Sequence, residues 1–497
     1  MRLPRSRQVL AAALATAVLA GCSAATGSST GTSGTSTAAS DATSVAEALA
    51  DNVAIETGDT SYDEADAVEV SLTGSTATAD SDAVTSDGGT VRIAAAGTYR
   101  LHGDLTGQVV VDSTADGVVR LVLDGATITS ETTSALNVVD AQSVIVVLAD
   151  DSSNKLADAS TYDDTSEDAP TGALYSTADL TIGGTGSLTV EGNANNGIVG
   201  KDGLVVSSGS IEVTSVDDGI IGKDYLVVSG GDVTVDAVDD GLKSDNTTDD
   251  GSGFVLIEGG SVQVSSEDDA IKGVQVLVSG GTVDVAGSTE AIEGSLIIID
   301  DGTLELHSAD DGINVATSDD SAAKDGSARH QQGMGGGMEA DSSLRLVING
   351  GTIEVWASGD GLDSNGDATI TGGDITVYGP TTDGNGALDV NGTFDIAGGT
   401  LIATGSAGMM VAPSTDSEQG WIATALAANA AAGSEVVISA ADGSRIAAYA
   451  VEKEFASVVY SSSDLEQGAT YTVTVDGAET SVTAGEGLSG ARGPMGG

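Results

Sequence analysis

The stretch Gly209-Ser210-Ile211-Glu212-Val213-Thr214-Ser215-Val216-Asp217-Asp218-Gly219-Ile220 returns, 22 residues on, as Gly231-Asp232-Val233-Thr234-Val235-Asp236-Ala237-Val238-Asp239-Asp240-Gly241-Leu242. In both copies apolar and polar side chains alternate, the period of a strand with one buried face. A diacid turn follows, then a second apolar run such as Leu226-Val227-Val228. The Gly-led strand recurs with its first apolar residue at 211, 233, 262, 283, 304, 353 and 375, so the spacings are 22, 29, 21, 21, 49 and 22. The spacing of 29 holds a polar insert from Asp245 to Ser252, and the 49 a Gly/Met/Ser-rich insert over 317–343. A period of about 21 is too short for a βαβ unit or a propeller blade, and the Leu/Asn consensus of leucine-rich repeats is missing. It fits one coil of a parallel β-helix, in which inner columns of Val, Ile and Leu stack into one continuous core.

Composition agrees with this all-β solenoid. The 497 residues carry 17 Lys+Arg against 75 Asp+Glu, a net charge of −58 that leaves no basic face for nucleic acid. Yet 40% of residues are hydrophobic, so the chain is no solvated acidic coil. Aromatics at 3% and 69 Gly suit a narrow aliphatic core with many tight turns. At the start, Arg2, Arg5 and Arg7 precede an apolar run from Val9 to Ala20, the pattern of a signal peptide. Leu19-Ala20-Gly21-Cys22 resembles a bacterial lipobox. That resemblance implies a lipoprotein signal peptide over 1–22 and lipidation of Cys22, the single cysteine. The protein is then expected on the extracellular face of the cytoplasmic membrane, or on an outer membrane where one exists. Residues 23–48, mostly Ser, Thr, Gly and Ala, read as a flexible tether. The solenoid is expected over 62–410, with an N-terminal cap and less regular coils to about 180. Residues 421–485 read as a small C-terminal β segment that covers the open end.

The acidic turns carry the chemistry. They read Asp217-Asp218-Gly219, Asp239-Asp240-Gly241, Asp268-Asp269-Ala270, Asp310-Asp311-Gly312 and Asp360-Gly361-Leu362-Asp363, with Asn195-Asn196 and Thr289-Glu290 in the same place in two other coils. A constant offset from the strand stacks these carboxylates in columns. Two charges one coil apart, about 4.8 Å, repel by roughly 3.5 kcal/mol at an effective dielectric of ~20. Cations are the simplest remedy. Lys201, Lys223, Lys243 and Lys272 follow the turns by three to five residues and read as one internal ladder. Ca²⁺ is the other source, since it takes oxygen ligands from Asp, Asn and carbonyls. The expected ligands are Asp217, Asp218, Asp239, Asp240, Asp268, Asp269, Asp310, Asp311, Asp360 and Asp363, with Asp245, Asn246 and Asn365 beside them. Three His and no free thiol make zinc a poor fit.

Several stretches are specific enough for a family resemblance. They are 216–224, Asp239 to Asn246, Gly359 to Asp367, Gly97-Thr98-Tyr99-Arg100-Leu101, Leu121-Val122-Leu123-Asp124-Gly125 and Gly384-Asn385-Gly386-Ala387-Leu388-Asp389. Together they resemble the bacterial "carbohydrate-binding domain-containing" family of extracellular right-handed parallel β-helices. The Gly/Met insert at 333–338 and the segment 411–485 are similar to features of that family. The resemblance implies a right-handed, single-stranded helix that binds Ca²⁺ on its acidic turns. It also implies a non-catalytic protein that recognises acidic plant cell-wall polysaccharide of the pectin type, or cellulose.

Three functions compete at this level. The first is a calcium-dependent binder of acidic polysaccharide, in which the metal bridges protein and sugar carboxylates and so removes the like-charge problem. Lys223 and Lys243 are candidate sugar contacts, and Trp356, just after a repeat strand, is a candidate stacking platform. The second is a pectate-type lyase using Ca²⁺ with Lys223 or Lys243 as base; the lysines fall in repeated positions, as structural neutralisers would. The third is a scaffold or adhesin that Ca²⁺ only rigidifies. A monomer is expected in each case, with extracellular polysaccharide and the membrane as the partners of the first.

Overall fold

The computed structural model describes residues 41–166, 168–317 and 340–486. The signal peptide, Cys22, most of the tether and nearly all of the Gly/Met insert lie outside the described residues. The described residues are all-β apart from one short helix and one 3₁₀ turn. From Val68 to Gly405 the chain winds through coils of three short strands, each paired in parallel with its counterpart one coil on. The repeat read from 209–242 is therefore one turn of a parallel solenoid.

Three faces result. The first contains the alternating strands Ser210–Ser215, Asp232–Ala237, Ser261–Ser266, Thr282–Gly287, Thr303–His307 and Thr352–Trp356. Their inward residues Ile211, Val233, Val262, Val283, Leu304 and Ile353 align coil on coil. The second face holds the short strands after the acidic turns, such as Ile220–Gly222 and Leu242–Ser244. The third holds the apolar runs Tyr225–Val228 and Phe254–Ile257 and their neighbours. Where a coil returns to the first face, Gly231 and Gly260 take φ of 88° and 81°, which only glycine adopts without strain. The paired glycines of the repeat follow from that turn.

Third-face strands are buried on both sides. Leu226 and Val228 point into the core, while Val227, Leu256, Leu277 and Ile298 point outward yet are also buried. Residues 42–62 cover them. The helix Val45–Asp51, capped by Ser44, lays Val45 and Ala48 on this outer stripe. The segment crosses the coils along the solenoid axis. Val45 N–H donates to Asp300, the Asn52 amide pairs with Gln275, Glu56 N–H donates to the Tyr225 hydroxyl, and Tyr62 packs on Val122 and Val147. Residues 42–48, expected as part of a flexible tether, are thus packed on the solenoid. Ala42, Val45 and Ala48 are apolar at helical spacing, and the outer stripe gives them something to bury against.

Both ends of the solenoid are closed by antiparallel pairing. At the C-terminal end Phe455–Ser461 pairs with both Thr400–Gly405 and Trp421–Ala430. A separate four-stranded antiparallel sheet, Glu435–Ala440, Arg445–Ala450, Thr470–Val475 and Ala478–Thr483, follows. Among the described residues no helix is long and apolar enough to cross a membrane.

Candidate functional site

The acidic turns form one corner of the solenoid, between the first and second faces. The residues Ile198, Ile220, Leu242, Ile271, Ile292, Ile313, Leu362 and Leu388 are register partners through successive coils. Two positions earlier lies the inner column: Asn196, Asp218, Asp240, Asp269, Glu290, Asp311, Asp360 and Gly386. One position later lies another: Val199, Ile221, Lys243, Lys272, Glu293, Asn314, Asp363 and Asp389.

Backbone donors tie the inner column together. Asn196 Oδ1 accepts from Asp218 N–H at 2.9 Å, Asp218 from Asp240 N–H at 3.1 Å, and Asp240 from Asp269 N–H at 3.2 Å. Asp311 accepts from Asp360 N–H and Asp360 from Gly386 N–H, each at 2.6 Å. These bonds need the coils to approach closely, which explains the glycine of the Asp-Asp-Gly turn. A Cβ on Gly241 would lie 2.3 Å from Val264 Cγ1 and 2.6 Å from the Ala270 carbonyl oxygen.

The four lysines divide into two columns, which corrects the single ladder expected from sequence. Lys243 and Lys272 share the column one position after the aligned aliphatic residues. Lys201 and Lys223 lie two positions further on. Lys243 Nζ bonds Asp218 at 3.1 Å and Asp240 at 2.7 Å, with its side chain 17% exposed. Lys272 Nζ bonds Asp269, and Glu293 at 3.0 Å. Lys223 reaches Asp245 at 2.6 Å instead.

Beyond Lys272 the column changes sign. Asp311, Asp360 and Asp363 bring carboxylate oxygens within 4.8 Å of one another. Asn314, 9% exposed, donates its amide N–H to Glu290 at 2.8 Å, while its Oδ1 is buried with no hydrogen-bond donor. Amide nitrogen and oxygen diverge from one carbon. The nitrogen is turned back to the coil of Glu290, and Asn314 is the register partner of Asp363 in the next coil. Burial, then neighbouring carboxylates, push Asp311 up to about 8 and hold Asp363 well above the usual carboxylate range. Burial takes Asp360 to about 6. Asp218 also rises to about 6 through burial, against the pull of Lys243.

A hard cation suits this end of the corner. Oxygens on opposite sides of a Ca²⁺ ion, each at ~2.3–2.6 Å, stand about 5 Å apart. The carboxylates of Asp311, Asp360 and Asp363 meet that span, and the unsatisfied Asn314 oxygen supplies a further neutral ligand. Three other close acidic groups occur among the described residues: Asp217/Asp218/Asp239, Asp239/Asp240/Asp268 and Asp269/Glu290/Glu293. Lys243 or Lys272 already bonds a member of each.

The sequence reading thus brought together nine of its expected ligands. Asp310 joins none of the close groups but adds to the repulsion on Asp311. Asp245 is drawn to Lys223, Asn246 donates to Asp224 and Asp249 to shape its loop, and Asn365 accepts from Asn391. Glu293, Asn314 and Asp389 went unread. Their signal is the residue after the Ile or Leu that follows each turn. Trp356 is no free platform: it stacks between His307, 4.4 Å away at 7°, and Tyr378, 5.1 Å away, from the coils on either side.

The family model of the carbohydrate-binding domain-containing protein matches residues 87–316, which span the corner from its first coils to Asn314. Over those residues the chain is similar to that family. A relative of the same description from Acetivibrio thermocellus is 37% identical over 126 residues, 25% of this chain. The chain spans 44% of the length of that curated relative. A solved structure of the polysaccharide lyase-like protein from C. thermocellum, a gadolinium derivative, shares 33% identity with it. That alignment covers 46% of this chain and 96% of the other, with a TM-score of 0.44.

Proposed function

We propose that this protein is a non-catalytic, lipid-anchored surface protein that binds acidic polysaccharide of the polygalacturonate type through Ca²⁺ held on its acidic corner. The observation that carries the reading is the end of the corner where, among the described residues, no lysine bonds the carboxylates. Asp311, Asp360 and Asp363 converge there beside a buried amide oxygen that lacks a donor. A buried acceptor left unsatisfied costs about 1–3 kcal/mol, and a cation at that point removes the cost. The same ion can accept a uronate carboxylate, which lets a chain of charge −58 bind a polyanion. Non-catalysis is supported by Lys243, whose ammonium is held by two carboxylates rather than free to take a proton. A right-handed coil follows the strong preference of parallel crossover connections.

Calorimetric titration with polygalacturonate, in Ca²⁺ and then in excess EDTA, tests the reading. Calcium-dependent heat without an unsaturated, ultraviolet-absorbing product is the expected result. Appearance of that product would move the protein to the lyases. A calcium-raised melting temperature with no heat of sugar binding would make it a scaffold.

A further inference from the structure

The aromatic stack at the rim of the corner ends on an open ring. Tyr378, Trp356 and His307 occupy register positions in three successive coils. Trp356 is covered on both sides, but the coil before His307 contributes no ring. There the ladder slips: Val264 pairs with Val285, and Ser265 with Gly287, so Ala286 bulges out and is exposed. A Cβ built on Gly287 meets nothing within 4 Å. The His307 side chain is 40% exposed and bonds Glu305 at 3.3 Å. Glu305 stands in register with Asp284 on the same outward face.

We propose that the open face of His307 is a sugar-ring subsite, on which a pyranose continues the Tyr378–Trp356–His307 stack over the shelf at Ala286 and Gly287. This rests on the polysaccharide-binding reading and deepens it. Aromatic rings pair well with the apolar C–H face of a sugar, and the carboxylates of Asp284 and Glu305 accept its hydroxyl hydrogens. The C-terminal segment packs on the first face at Trp356 and Tyr378, and the strap of residues 42–62 covers the third, whereas the His307 side chain stays 40% exposed. A groove of about 470 Å³ on the first face, lined by Gly281, Gly302, Thr303 and Thr352, lies at the other end of the same strands. His307 is four positions after Thr303, roughly 13 Å, room for two or three sugar units. His307 lies three residues before Asp310, so a glycan stacked here has its next units beside the acidic corner.

The test uses the whole chain with oligogalacturonate and, separately, cello-oligosaccharide in Ca²⁺ buffer. His307→Ala is expected to weaken binding about tenfold, and His307→Phe, which keeps a ring, to retain it. Gly287→Leu, whose side chain has space and no backbone strain, should block the shelf and give the same loss with an unchanged melting temperature. On titration the His307 ring protons should shift while those of His102 do not. Wild-type binding that His307→Ala and Gly287→Leu leave unchanged would overturn the subsite and spare the polysaccharide reading. No wild-type binding to either sugar would overturn both.

Discussion

Replacing Lys243 with Met tests how the acidic corner is held together. The ammonium bonds Asp218 and Asp240, whose side chains are 9% and 3% exposed, so all three groups are largely out of water. Removing one partner of a buried ion pair costs about 3–5 kcal/mol, because the charges left behind lose compensation. Met keeps the apolar stem, so the loss reports charge. Unfolding entropy is about 2.1 cal/mol/K per residue. Over the coils from Val68 to Gly405 this gives ~0.7 kcal/mol/K, and the melting temperature should fall by about 4–7 °C if they unfold together. The assay is thermal melting in EDTA at pH 7.5, repeated at pH 5. At pH 5 Asp218, with its pKa near 6, takes up a proton and the loss should shrink. Added Ca²⁺ should restore part of the stability at pH 7.5. A shift under 1 °C at pH 7.5, or an equal shift at both pH values, would refute the reasoning.

Three further outcomes follow from the same structure. Asp311, Asp360 and Asp363 have folded-state pKa values raised above their unfolded values, so each contributes stability below about pH 4 that is lost as pH rises, through about 6 for Asp360 and about 8 for Asp311. Melting temperature in EDTA should therefore fall between pH 5 and pH 8, and Ca²⁺ should flatten or reverse that slope. Gly241→Ala forces a methyl against Val264 and the Ala270 carbonyl and should cost about 1–3 kcal/mol in chemical denaturation, although φ at Gly241 is not positive. Ala48→Asp puts a carboxylate at a position that is 0% exposed, so limited proteolysis should cut within 42–62 faster than in the wild type.

The solenoid was legible because its period is written in alternating Val and Ile and in glycines that the turn requires. The strap was not, because Val45 and Ala48 match a stripe made by Val227, Leu256 and Ile298, residues far away in sequence. The acidic turns were readable as columns for the same reason as the core. What sequence spacing missed was a two-residue difference of register. Lys223 and Lys243 both follow a turn, yet only Lys243 points among the carboxylates. Asn314 and Asp363 sit in the Lys243 column, and only strand pairing reveals that the column passes from cation to acid. Trp356 looked available because its neighbours in the stack, His307 and Tyr378, come from other coils.

The central claim is that Ca²⁺ at Asp311, Asp360 and Asp363 bridges the protein to an acidic glycan. The measurement is calorimetric titration of polygalacturonate into wild type and into the Asp311→Asn/Asp363→Asn double variant, at saturating Ca²⁺. Wild-type binding that EDTA abolishes and the folded double variant loses is the predicted result. Equal binding by both proteins, or wild-type binding that survives EDTA, would contradict it.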